Sequence, residues 1–151
     1  MNQALAALRH HVSGAIERGE KAAVVEVRDF AELFAKASLA GKQAGSNAIP
    51  APMVVQQRAD VLDDSSPVAK QWYVSEGVCG FAWVNVKPGN SSFARWLKSH
   101  GYASSDSYNG GVCIWIRDWN QSMQRKEAHA HAMAKVFQEA GIKAYAGSRM
   151  D

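Results

Sequence analysis

The chain has 151 residues, 47% of them hydrophobic, and carries 17 basic and 14 acidic side chains for a net charge of +3. That is enough apolar material for one core without disulfide or metal staples, and no apolar run approaches the roughly 20 residues a membrane-spanning helix needs. The charge is uneven: residues 78–151 hold nine basic and five acidic side chains, which favours an anionic partner over a cationic one.

Leu5, Leu8, Val12 and Ile16 recur at helical spacing, and Gly19 ends that helix. The same stretch does not read as a cleavable leader, since Arg9, His10 and His11 interrupt its apolar pattern. Ala22 to Val27 reads as a short valine-rich strand. Asp29 caps a second helix with Phe30, Leu33, Phe34 and Ala37 on one face, closed by Gly41. The small polar residues from Gly41 to Pro52 read as loop. Met53 to Gln56 is a brief strand, and residues 58–70, with Asp63-Asp64-Ser65-Ser66, form the expected mobile surface loop.

The pattern sharpens in the second half. Gln71 to Val86 contains two strand-like runs parted by Gly77. Val78, Gly80, Ala82, Val84 and Val86 point one way and Cys79, Phe81 and Trp83 the other, so both faces are apolar, as in a central strand covered on both sides. Lys87-Pro88-Gly89 stops it. Asn90 or Ser91 caps a helix with Phe93, Trp96 and Leu97, ended by Gly101. Val112 to Arg117 is a second two-faced strand. Gln121 to Ala140 is the longest helix, with Gly141 in the left-handed position beyond it, and Ile142 to Ala146 is the last strand before a five-residue tail. The fold class is therefore α/β or α+β in one domain over 1–151: an α-β-α segment within residues 1–70, then a βαβαβ unit over 71–151. Alternation predicts parallel strands. Tyr108-Asn109-Gly110-Gly111 is a hairpin signal, however, and pairing of residues 102–108 with 112–117 would make the sheet mixed.

Parallel strands would bring three junctions to one sheet edge. They contribute Lys87, Asn90 and Ser91; Arg117, Asp118, Trp119, Asn120, Gln121 and Ser122; and Arg149 and Asp151. Two helix N-termini with three cations suit a phosphate or carboxylate. Asp118 or Asp151 suits a ribose hydroxyl or base amine, and Trp119 offers a stacking face. The expected ligand is anionic and nucleotide-like.

Catalytic signatures are absent from the sequence. His129 and His131 are two apart on a helix and diverge, whereas chelation wants a spacing of four; no metal or other cofactor is expected. Cys79 and Cys113 read as buried reduced thiols. All five tryptophans lie between Trp72 and Trp119, and with the basic excess they keep single-stranded nucleic acid as a lesser reading. A small hydrolase or nuclease would have to use Asp118 and Asp151.

Seven runs carry a resemblance: Cys79-Gly80-Phe81-Ala82-Trp83-Val84, Phe93-Ala94-Arg95-Trp96-Leu97, Gly110-Gly111-Val112, Asn120-Gln121-Ser122, Lys126-Glu127-Ala128, Gly141-Ile142-Lys143-Ala144-Tyr145 and Ser148-Arg149-Met150-Asp151. Over residues 77–151 the chain resembles a group of small uncharacterised proteins of tailed phages and prophages. The resemblance implies a phage accessory protein in the host cytoplasm, and no functional residues come with it. The expected function is sequestration of a nucleotide-like signal, by a homodimer in one version. The alternative is a protein-interaction module that inhibits a host protein.

Overall fold

The computed structural model describes residues 30–151, so the helix from Leu5 and the strand from Ala22 lie outside the described residues. The chain divides into two units, Met1–Ala35 and Lys36–Asp151. Of the first, the described residues 30–35 are helical. The second unit opens with a helix over residues 36–47 (α1), six residues past the expected stop at Gly41, because an isolated glycine weakens a helix without ending it. No helix among the described residues is long and apolar enough to cross a membrane.

Met53–Arg58 (β1) and Val68–Val74 (β2) form an antiparallel hairpin. Both strands run further than their apolar residues alone predict, so only 59–67 of the expected loop is loop. It is closed by the Ala59 N–H donating to the Pro67 carbonyl at 2.9 Å and by Ser66, whose side chain is buried against Asp60.

The remaining elements are Gly80–Lys87 (β3), Ser92–Ser99 (α2), Ser104–Ser105 (β4), Val112–Trp115 (β5), Met123–Glu139 (α3) and Lys143–Met150 (β6). Their sheet has the order β4-β5-β3-β6 and every pairing is antiparallel. The chain is mixed α/β, as its alternating pattern implies, but the expected parallel β3–β5 pair is overturned. The hairpin signal at 108–111 explains why: β4 and β5 form a two-strand return, and β5 inserts between β4 and β3 in the opposite direction to both. With β6 on the far side of β3, the connectivity is the split βαββαβ arrangement. The expected tail is also corrected. Gly147 to Met150 continue β6 in full pairing with β3, and the Asp151 N–H donates to the Cys79 carbonyl at 3.2 Å.

Opposed residues in such a sheet share a face. On one face lie Ala82, Val84 and Val86 of β3, Val112 and Ile114 of β5, and Ala144 of β6, all buried. Helix α3 packs across β3 and β6 with Ala130, Met133, Ala134 and Phe137, and α2 adds Phe93, Ala94 and Leu97. Phe93 and Phe137 meet edge to face at 5.1 Å, joining the two helices. Ser91 accepts a hydrogen bond from the Ala94 N–H to start α2, and Gly141 lies at φ +81° beyond α3, both as expected. Among the described residues no helix packs over the other face.

Candidate functional site

That second face carries the large rings. Alternation places Phe81, Trp83, Asn85 and Lys87 of β3 on it, beside Cys113 and Trp115 of β5 and Tyr145, Gly147 and Arg149 of β6. Phe81 and Trp83 are half-buried, while Trp115 keeps 44% of its surface exposed. The expectation that β3 is covered on both sides is therefore wrong. Its second face is apolar because it is aromatic, while the helix-covered face is aliphatic.

The rings form one cluster. Trp83 and Trp115 stand 5.2 Å apart and tilted, and Phe81 meets Trp115 edge to face at 6.5 Å. Trp83 also lies against β6 at Gly147, where a Cβ would come within 2.6 Å of the indole. The guanidinium of Arg149 lies 5.4 Å from the centre of the Phe81 ring, near enough for cation–π attraction, and is itself exposed. The Lys126 ammonium stands 5.6 Å from the same ring and donates to the Gly80 carbonyl at 3.1 Å.

A hollow of about 540 Å³ lies over this floor, bounded by Trp83, Trp115, Arg149 and the 104–109 segment. Its loop wall is held in place by Asp106. One carboxylate oxygen accepts from the Tyr108 and Asn109 N–H groups; the other accepts from the side-chain amides of Asn109 and of the buried Asn85. Those bonds, the Asn109 N–H foremost, hold the Asp106 carboxyl below the usual carboxylate range against a weaker opposing effect of burial. Both oxygens are committed, so Asp106 latches the loop to the sheet. Asn85 also donates to the Gly110 carbonyl at 2.8 Å. Tyr108 projects from this wall almost fully into solvent.

Cys113 lies in the floor. Burial, helped by the Asp106 charge, pushes its thiol up to about 11, so it is protonated at neutral pH. Cys79 is exposed, which corrects the expectation that both thiols are buried.

The expected three-junction edge splits. Because β5 and β6 both run against β3, Arg117 to Ser122 and Arg149 to Asp151 gather at the start of β3, while Lys87, Asn90 and Ser91 sit past its far end. Eight residues of extended strand separate the groups by about 25 Å. Within the first group several side chains are structurally engaged. Ser122 donates to the Glu76 carbonyl at 2.9 Å. Trp119 donates from Nε1 to His129 Nδ1 at 3.1 Å and lies against Gly45. Asp118 approaches the same imidazole at 3.9 Å. Trp119 and Asn120 have φ of 73° and 49°, a turn that aims the indole inward. Within this group, Arg149 and, beside Trp115, Arg117 adjoin the aromatic face. No group of three or more potential metal ligands occurs among the described residues.

Sequence reasoning missed Phe81, Trp83 and Trp115 as site residues because two-sided hydrophobicity was read as two-sided burial. The available signal was segregation by kind: rings at 81, 83 and 115, aliphatics at 82, 84, 86, 112 and 114.

No protein-family model, no curated protein and no solved structure matches the chain. The site's chemistry thus rests on its own geometry.

Proposed function

We propose that the open sheet face binds a base-bearing anion, with a nucleobase stacked in the Trp83–Trp115 hollow and its phosphate drawn to Arg149. The reading keeps the nucleotide-like ligand expected from the basic second half but moves it from a strand edge to a sheet face. The observation that carries it is the cluster of Phe81, Trp83 and Trp115, in which the Trp83–Trp115 pair is left uncovered by α2 and α3 and bordered by an exposed arginine. Rings of this size are normally buried in a core, and an uncovered patch of them marks a binding surface. Base–aromatic stacking supplies roughly 1–3 kcal/mol per base, and a guanidinium pairs well with phosphate.

The role is binding, not turnover. The Cys113 thiol is protonated, both Asp106 oxygens are saturated, and His129 is buried on α3 with its Nδ1 accepting from Trp119.

Titration of tryptophan fluorescence with AMP, GMP, CMP and UMP tests the reading. Saturable quenching by at least one is expected, weakened about tenfold or more by Trp115→Ala and by Arg149→Ala, with Lys135→Ala on the exposed side of α3 as an unchanged control. Absence of saturable quenching, or full affinity in both variants, contradicts it.

A further inference from the structure

The 540 Å³ hollow over Trp83 and Trp115 reaches from Arg149 on β6 to Ser104 and Ser105 of β4, and a second hollow of about 400 Å³ adjoins it, bounded by Tyr102, Ser104, Cys113, Trp115 and Arg117. The two share Ser104, Cys113 and Trp115, so Trp115 is a ridge between two depressions. Together they make a trough: the first hollow crosses the four strands, about 15 Å at their usual spacing, and the second extends it along β5 toward Arg117 and Tyr102.

The trough has a repeating character. Arg149 is the cross-strand partner of Phe81 and Arg117 follows Trp115 past the end of β5, so both arginines border the Phe81 end of the cluster, beside the Trp83–Trp115 row. At the far end Tyr102 continues an aromatic series, standing 5.7 Å from Trp96 and 6.2 Å from His100, the latter nearly parallel at 6°. One mononucleotide fills one hollow and meets one arginine. A chain of alternating bases and phosphates fills both hollows and meets both arginines.

From this we infer that the occupant is single-stranded nucleic acid, with successive bases in the two hollows on either side of Trp115. The inference rests on the stacking function proposed above and adds its substrate class. The chemistry favours an unpaired strand, because a duplex hides its base faces and the hollows are lined by rings and hydroxyls, not by a cationic surface matched to two backbones. Four-stranded sheets with exposed rings are one established way of holding two or three splayed bases. With two arginines at the trough among the described residues, the salt dependence is shallow: the slope for single strands is about −0.7 per phosphate contact, so two contacts give about −1.4.

The experiment is fluorescence anisotropy of the full chain with labelled oligouridylate and oligothymidylate of two, four and eight nucleotides, with a hairpin duplex and with UMP as competitor. Affinity is expected to rise at least tenfold from UMP to the tetramer, to flatten beyond it, and to be far weaker for the duplex. Arg117→Ala and Arg149→Ala, both at exposed positions, should each lower the salt slope by about 0.7. Trp115→Phe should keep part of the affinity that Trp115→Ala loses. UMP binding as tightly as the octamer, or Arg117→Ala leaving the slope unchanged, overturns the inference and leaves the stacking function standing. Binding by neither UMP nor any oligomer overturns both. Equal affinity for duplex and single strand overturns the inference as well.

Discussion

The indole of Trp83 lies against Gly147 of the neighbouring strand, with the ring so near that a Cβ at position 147 would fall 2.6 Å from it. A residue with any side chain there would lift the ring off β6 and break its tilted contact with Trp115. The glycine is what lets a bulky ring serve as a floor rather than a post.

Gly147→Ala should therefore cost about 1–3 kcal/mol through overpacking, read by urea denaturation, and should shift tryptophan emission as the indole moves. Unchanged stability with unchanged emission would mean that the ring is not seated on β6.

His129 gives a pH signature. It is buried, and burial holds its pKa below the usual 6.5; the nearby Asp118 opposes that shift and Lys42 adds to it. The folded state thus resists a proton that the unfolded chain accepts, so this contribution to stability is complete above about pH 6.5 and is lost as pH falls below it. The bond from Trp119 requires an unprotonated Nδ1, which gives the same sign. Melting temperatures from pH 8 to 5 should fall on the acid side, and His129→Phe should flatten that part of the profile, lower overall stability notwithstanding.

Asp106 acts lower on the scale. Its carboxyl is held below the ordinary carboxylate range by the loop amides, so the latch is complete above that range and opens as pH falls through the lowered value. Asp106→Ala should speed amide exchange at Tyr108 and Asn109 at neutral pH while leaving α3 unaffected. Equal protection in variant and parent would show that the loop is held by something else.

The two thiols should differ in reactivity. At pH 8 iodoacetamide should alkylate exposed Cys79 well before Cys113, whose thiol lies at about 11. Peptide mapping after partial labelling reads the order.

Much of the fold was legible and its direction was not. Alternation from Val78 to Val86 marked β3, and Ser91 and Gly141 marked the helix ends. Strand direction depended on weighing one hairpin turn at 108–111 against the alternation of strands and helices, and a two-residue β4 leaves little pattern of its own. The candidate site failed for the same reason. Lys87, Asn90 and Ser91 share an edge with Arg117 and Arg149 only if β3 and β5 run together. Periodicity tells which residues share a face, but it cannot tell whether a helix or solvent lies over it; here the difference between rings and aliphatics carried that information.

Phe137 tests the packing side independently. It is fully buried and touches Phe93. Truncation to alanine should cost about 3–5 kcal/mol, the usual range for a buried aromatic, and should weaken ligand binding only through unfolding.

The most direct measurement is chemical-shift mapping of the isotopically labelled chain as an eight-nucleotide single strand is added. The largest changes are expected at the indole N–H groups of Trp83 and Trp115 and at the backbone of Phe81, Gly147 and Arg149, with α2 and α3 nearly silent. Changes confined to the helices, or to residues 118–122 at the start of α3, would show that the uncovered face is not where the strand sits.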